Sequence, residues 1–246
     1  MATFVLIPGA GGAGEVYWRE AAAELRARGH EAIPVEIAGD DPALGPPEYA
    51  VLVDDAIGRR TGVVLVAHSM GGFTVPMIGK RAAVSRIVLL NAMIPLPGET
   101  PGEWFAATRT GEARRAENAR AGRPNGFDID EVFLHDLPDG ARAEMAAGDR
   151  EPAGTPFQQP CTFEEWPPVP LHVLVGAEDR MFPARFQVDL ARDRLGVEAD
   201  VVPGGHLAAK SRPVAVAERL VSCLPHSETP TPPCRPSEQC RVRRSK

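Results

Sequence analysis

The sequence predicts an α/β fold, a doubly wound, mostly parallel sheet of about six strands with helices on both faces. Three observations predict it. Short apolar, β-branched runs alternate with amphipathic stretches between residues 3 and 90, the rhythm of βα units whose strands are buried on both faces. The rhythm breaks after Ile94 and resumes at Leu171, so an insertion interrupts one sheet. A chain of 246 residues, 43% hydrophobic and 24% charged, suits one α/β domain with a full core.

Residues 3–7 form the first strand and run into Pro8-Gly9-Ala10-Gly11-Gly12-Ala13-Gly14. Residues 15–28 form a helix with Trp18, Ala21, Ala22 and Leu25 on one face, stopped by Gly29. A second strand at 32–37, a Gly/Pro/Asp loop at 38–47 and a helix at 48–60 follow, with Val51, Leu52 and Ile57 facing inward. Val63-Val64-Leu65-Val66 is a strand that enters Ala67-His68-Ser69-Met70-Gly71-Gly72, and a buried helix continues over 73–81 despite Pro76. The next strand is 86–90.

Residues 95–168 hold helical pieces around 104–121, 128–137 and 141–147, the second opened by the capping box Asp128-Ile129-Asp130-Glu131. An insertion at the ligand end of such a sheet is where a lid sits; a helical packing layer is the alternative. The sheet resumes with a strand at 171–175, a helix at 183–195 burying Phe186 and Leu190, and a strand at 197–202. The last helix, 213–224, carries Val214, Ala217, Leu220, Val221 and Leu224 at helical spacing. The domain therefore spans 1–224. Residues 225–246 are rich in Pro, Ser, Thr and Arg, too polar to offset their ordering entropy, and are expected to be disordered.

A net charge of −6 gives no electrostatic reason to expect nucleic acid or an anionic membrane surface as partner. The first residues, Met-Ala-Thr-Phe-Val-Leu-Ile-Pro, lack a basic n-region, and no apolar run approaches membrane-spanning length. Cysteines at 161, 223, 234 and 240 have no metal-ligand spacing. A Cys234–Cys240 loop competes with scattered reduced thiols, and the latter reading makes a cytoplasmic protein the expectation.

Strand, sharp turn and helix with Ser69 at the apex form a nucleophile elbow, in which the residues two before and two after must be small. They are Ala67 and Gly71. A serine nucleophile needs a base and a third group to orient that base. Two later strands end in suitable residues, Asp179 and His206, and Ser69-Asp179-His206 is the chain order of the α/β-hydrolase triad. Glu178 competes with Asp179 for the acid. His30, His135, His172 and His226 lie at a helix-to-strand turn, in the insertion, inside a strand and in the tail, and so suit the base less well. His68 adjoins the nucleophile but should point away from it. The oxyanion donors expected in this arrangement are the backbone N–H groups of Ala10 and Met70. Gly9, Gly11 and Gly14 also fit a dinucleotide-loop pattern with Glu36 available for a ribose, an alternative that leaves Ser69 unexplained.

The sequence resembles α/β-hydrolases of the plant methylesterase and hydroxynitrile lyase type over roughly residues 3–222. The resemblance is carried by Phe4-Val5-Leu6-Ile7-Pro8-Gly9-Ala10 with Trp18, by Gly29-His30 and by Val66-Ala67-His68-Ser69-Met70-Gly71-Gly72. Gly176-Ala177-Glu178-Asp179-Arg180-Met181-Phe182-Pro183 with Phe186-Gln187, and His206 with Ser211-Arg212-Pro213, complete it. Pro8 stands where the family usually has His, and Ala67 where it has Gly. The resemblance implies the α/β-hydrolase fold, the triad and a small ester as substrate; with the helical lid insertion read above, a serine hydrolase that needs no cofactor or metal is expected. It also implies two rivals, a lyase on the same fold and a receptor-like binder with slow turnover. The lyases place Thr at the position of Gly9 and Lys at that of Leu207, which favours the esterase. Lys210 is expected at the entry of the last helix with its ammonium in solvent. Phe73, Trp104, Phe105, Phe133, Phe157, Met181 and Phe182 are candidates for an apolar substrate pocket and equally for core.

Overall fold

Neighbouring side chains on a strand point to opposite faces of the sheet, and here both faces are buried. The computed structural model describes residues 1–78, 82–148 and 150–225. Its strands are β1 (Thr3–Ile7), β2 (Glu31–Pro34), β3 (Val63–His68), β4 (Val84–Leu90), β5 (Leu171–Gly176) and β6 (Ala199–Val202). They pair in the order β2-β1-β3-β4-β5-β6, every pair parallel. Val5, Ile7, Val63, Leu65 and Ala67 feed one core; Phe4, Leu6, Val64 and Val66 feed the other.

The helices are α1 (Gly14–Ala27), α2 (Pro46–Ile57) and α3 (Val75–Ile78), then α4 (Pro101–Ala107), α5 (Thr110–Arg120), α6 (Asp139–Ala147) and α7 (Thr155–Gln158) within the insertion. After β5 come α8 (Ala184–Leu195), α9 (Ala208–Ser211) and α10 (Pro213–Ser222). Helices α1, α9 and α10 cover the face that holds Phe4 and Val64, while α2, α3 and α8 cover the other. The fold is the doubly wound one expected. Among the described residues, 91–170 contain no strand. No described helix is long and apolar enough to cross a membrane.

Several details differ from expectation. Helix α2 buries Tyr49, Val53 and Ile57, an i, i+4, i+8 stripe that leaves Val51 59% exposed. Helix α10 buries Val216, Ala217 and Leu220, so Val214 faces out at 48% exposure. The edge strands β2 and β6 cover Glu31–Pro34 and Ala199–Val202, shorter than the expected 32–37 and 197–202. The expected helix 73–81 forms over Val75–Ile78; positions 79–81, the Cys234–Cys240 pair and the tail beyond Pro225 lie outside the described residues.

The sheet order places the site. From β1 the chain goes to β2 on one side, then crosses to β3 on the other. The loops leaving β1 and β3 therefore diverge and open a crevice at the carboxyl edge, the position where such sheets bind ligands.

Candidate active site

Ser69 sits at the end of β3 with φ 51°, a left-handed conformation costing about 1–3 kcal/mol in a non-glycine residue. Its neighbours enforce it. Met93 N–H donates to Ser69 O at 2.9 Å. A Cβ on Gly71 would stand 2.6 Å from Pro8 O, and one on Gly72 would stand 1.9 Å from Met93 O. Ala67 is fully buried and pairs in register with Ile7, so its methyl group is accommodated where the family pattern has Gly.

The three residues named from chain order meet. His206 Nε2 lies 3.1 Å from Ser69 Oγ, and His206 Nδ1 lies 2.9 Å from Asp179 Oδ2. With Nδ1–H donating to the carboxylate, Nε2 carries the lone pair that faces the serine hydroxyl. Asp179 is itself fixed: its Oδ1 accepts Met181 N–H and Phe182 N–H, each at 2.8 Å. Gln187 Nε2 donates to Oδ2 at 3.1 Å. Glu178, the competing acid, is turned elsewhere. Its Oε2 accepts Gly204 N–H at 2.7 Å, tying the loop after β5 to the loop after β6.

Asn91, which sequence reasoning passed over, and His68, which was expected to point away from Ser69, hold the base. Asn91 follows β4 with φ 46°, and its Nδ2 donates to the carbonyls of Gly205 and His206 at 2.9 and 3.0 Å. Its Oδ1 accepts Gly176 N–H at 2.6 Å, so one amide links the ends of β4, β5 and the base turn. The one available signal was a polar residue closing an apolar strand. His68 is 4% exposed, and its Nε2 lies 3.0 Å from His206 O. Burial first, and then the neighbouring His206, push its pKa well below the usual value. It is therefore neutral, with Nε2–H as donor, packed 4.3 Å from the Tyr17 ring.

The Gly9–Gly14 loop closes the site's other side. A Cβ on Gly9 would meet Ser69 Cβ at 2.8 Å, so the β1 loop reaches the elbow only as glycine. Gly12 and Gly14 press on the chain leaving β2, where an added Cβ would lie 1.8 Å from Ile37 O and 2.0 Å from Val35 O. A Cβ on Gly11 would stand 2.9 Å from Arg150 O, so Gly9, Gly11 and Gly14, the three positions of the dinucleotide-loop pattern, each meet a close contact within the protein. Glu36, the possible ribose ligand, accepts Glu15 N–H at 3.1 Å and pairs with Arg150 at 2.8 Å. Ala10 is exposed on this loop and Met70 is buried in the turn after Ser69.

Aromatic rings border the imidazole. Phe133, from the insertion, and Phe182, after β5, lie 5.2 and 5.0 Å from the His206 ring. Trp104 is fully buried; it packs on Phe105, Phe182 and Phe186 and donates Nε1–H to Ile94 O at 3.0 Å. Trp104 and Phe73 are core. Lys210 departs furthest from expectation. It is 3% exposed and donates to Val16 O, Glu20 and Glu144 at 3.2, 2.8 and 2.6 Å. Its ammonium thus fastens α9 to α1 and α6, where partly exposed carboxylates neutralise it. Among the described residues no group of three or more His, Cys, Asp or Glu side chains could hold a metal ion.

A model described as the alpha/beta hydrolase family matches residues 4–219, whereas no curated protein matches the chain. Solved structures share the fold. One is an extracellular alpha/beta-hydrolase from a Paenibacillus species, 24% identical, with 90% of this chain and 98% of that chain covered and a TM-score of 0.72. It is described as structurally and functionally homologous to tobacco salicylic acid binding protein 2. Another is a pyrethroid hydrolase from Sphingobium faniae, 20% identical, covering 90% of this chain and 96% of that one, TM-score 0.68. A methylesterase from Arabidopsis is 20% identical, covering 90% and 98%, TM-score 0.69. With the family model matched from the first strand to the last helix, the chain belongs to the alpha/beta hydrolase family.

Proposed function

We propose that the protein is a serine hydrolase that cleaves small carboxylic esters through an acyl-enzyme. The observation that carries the reading is the relay from Asp179 Oδ2 through His206 to Ser69 Oγ, with spacings of 2.9 and 3.1 Å, at the switch point of the sheet. Ser69 Oγ attacks the ester carbonyl while His206 Nε2 takes its proton. The tetrahedral oxyanion is received by the N–H groups of Ala10 and Met70. The imidazolium then returns its proton to the departing alcohol, leaving an acyl group on Ser69. A water molecule, deprotonated by the same imidazole, releases the carboxylic acid and restores the serine. Asp179 holds the imidazole in the tautomer this cycle needs. The esterases among the structural neighbours support the reaction class, and the insertion above the site serves as its lid.

The lyase rival needs a cation beside the base to receive cyanide. Leu207 occupies that position, and the Lys210 ammonium is spent on Glu20 and Glu144. A threonine at position 9 would place its Cβ 2.8 Å from Ser69 Cβ. A panel of p-nitrophenyl esters of increasing acyl length, with mandelonitrile alongside and Ser69→Ala as control, tests the reading. Turnover of a short aryl ester with no cyanide release above buffer is expected. Cyanide release abolished by Ser69→Ala would assign the lyase, and binding without turnover would assign a receptor.

A further inference from the structure

The base stands on a Gly204-Gly205 pair, the least restricted backbone a chain offers, so its position depends on what grips that turn. Gly204 is held by Glu178 through both N–H and C=O. The carbonyls of Gly205 and His206 are held by Asn91, and that of His206 by His68 as well. All of these come from strand ends. The N–H of Gly205 is held differently: it donates at 2.7 Å to Asp136 Oδ2, a residue of the insertion.

The segment around Asp136 touches the site twice more. Phe133, in the π-helical turn Asp130–Leu134, lies against the His206 ring. Glu131 accepts from Arg180, the neighbour of Asp179, at 2.7 Å. A Cβ on Gly205 would come within 2.8 Å of both Asp136 Oδ1 and His135 Nε2, so the insertion sits tightly on the glycine beside the base.

We propose that Asp136 is a positioning residue for His206, a reading that rests on the triad function proposed above. Its carboxylate fixes the Gly205 peptide through a charge-assisted bond, stronger than a neutral one, and thereby sets the imidazole's distance to Ser69. The insertion is in this way a working part of the catalytic base as well as a cover over it.

The test compares Asp136→Ala, which removes the acceptor, with Asp136→Asn, which keeps an oxygen for Gly205 N–H, in the full-length protein. Three readouts are followed: kcat and KM on the best p-nitrophenyl ester, the melting temperature, and the downfield proton NMR signal of His206 Nδ1–H. That signal is assigned by its loss in His206→Gln. Asp136→Ala is expected to lower kcat by about 10–100-fold, the scale of a small misplacement of a catalytic group, with KM nearly unchanged. Its Nδ1–H signal should broaden, while Asp136→Asn restores both. Parental kcat and signal in Asp136→Ala would overturn the proposal, as would equal losses in both variants accompanied by equal falls in melting temperature. If the parent hydrolyses no ester yet its Nδ1–H signal responds to Asp136→Ala and not to Asp136→Asn, the positioning stands and the esterase reading falls.

Discussion

Replacing Asp179 by Asn, with Glu178→Gln as its partner experiment, separates the two adjacent carboxylates by what each holds. Asp179 Oδ1 receives two backbone N–H groups, so the amide oxygen of the substituted side chain must stay there. The new NH2 then faces His206 Nδ1 and Gln187 Nε2, where Oδ2 received both. Donor meets donor. The imidazole can respond by moving its proton to Nε2, which leaves no lone pair for the Ser69 hydroxyl. The expected loss is about 10⁴ in kcat, the scale of a wrong tautomer held in otherwise intact geometry. Glu178→Gln keeps an oxygen for Gly204 N–H and exchanges a charged acceptor for a neutral one, so its effect on kcat is expected to be mild. Initial rates of p-nitrophenyl acetate hydrolysis at saturation measure both. A larger loss in Glu178→Gln than in Asp179→Asn, or an Asp179→Asn enzyme within tenfold of the parent, would refute the argument.

Lys210→Met leaves Val16 O without its donor, strips the cation from Glu20 and leaves Glu144 with Arg19 alone, at 3.1 Å. Those carboxylates remain 37% and 46% exposed and can rehydrate, so the loss is about 2 kcal/mol, below the 3–5 kcal/mol of a fully buried broken pair. A melting temperature lowered by roughly 4–8 °C is expected, read by circular dichroism; an unchanged value would contradict the buried network. His68 provides a pH test. Its folded pKa lies well below the unfolded 6.5, so below pH 6.5 the unfolded chain takes up a proton that folded His68 refuses. Stability therefore falls on acidification through that window, by up to about 1.4 kcal/mol per pH unit for this one group. Chemical denaturation between pH 7 and 5 should show a shallower fall in His68→Gln than in the parent, and equal slopes would dismiss the contribution.

What could be read beforehand was what the chain writes locally. Strands buried on both faces leave continuous apolar runs, so β3 and β5 were legible, and so was the elbow, whose small residues lie within two positions of Ser69. The order Ser69, Asp179, His206 follows from which strand ends carry polar side chains. Long-range polar contacts left no such trace. The partners of Lys210, Glu20 and Glu144, stand 190 and 66 residues away, and lysine is almost never fully buried unless paired. Solvent was therefore the natural expectation for it. Asn91 closes an apolar strand with a neutral amide, and its value lies in carbonyls 114 and 115 residues distant. On α2 the apolar residues Val51 and Leu52 drew attention from Tyr49, whose ring and Val53 set the buried face. The Glu178–Asp179 choice needed side-chain direction, which spacing of one residue does not encode.

The account stands on Ser69 as nucleophile, and the most direct measurement is kcat of purified Ser69→Ala on the ester that the parent hydrolyses fastest, with the melting temperature as folding control. The φ of 51° at this position is one that alanine tolerates no worse than serine, so the variant should melt with the parent. Its kcat should fall by roughly 10⁴–10⁶, as removal of a nucleophile does when the remaining groups act only through it. A folded Ser69→Ala protein that keeps more than a tenth of the parental rate would contradict the account.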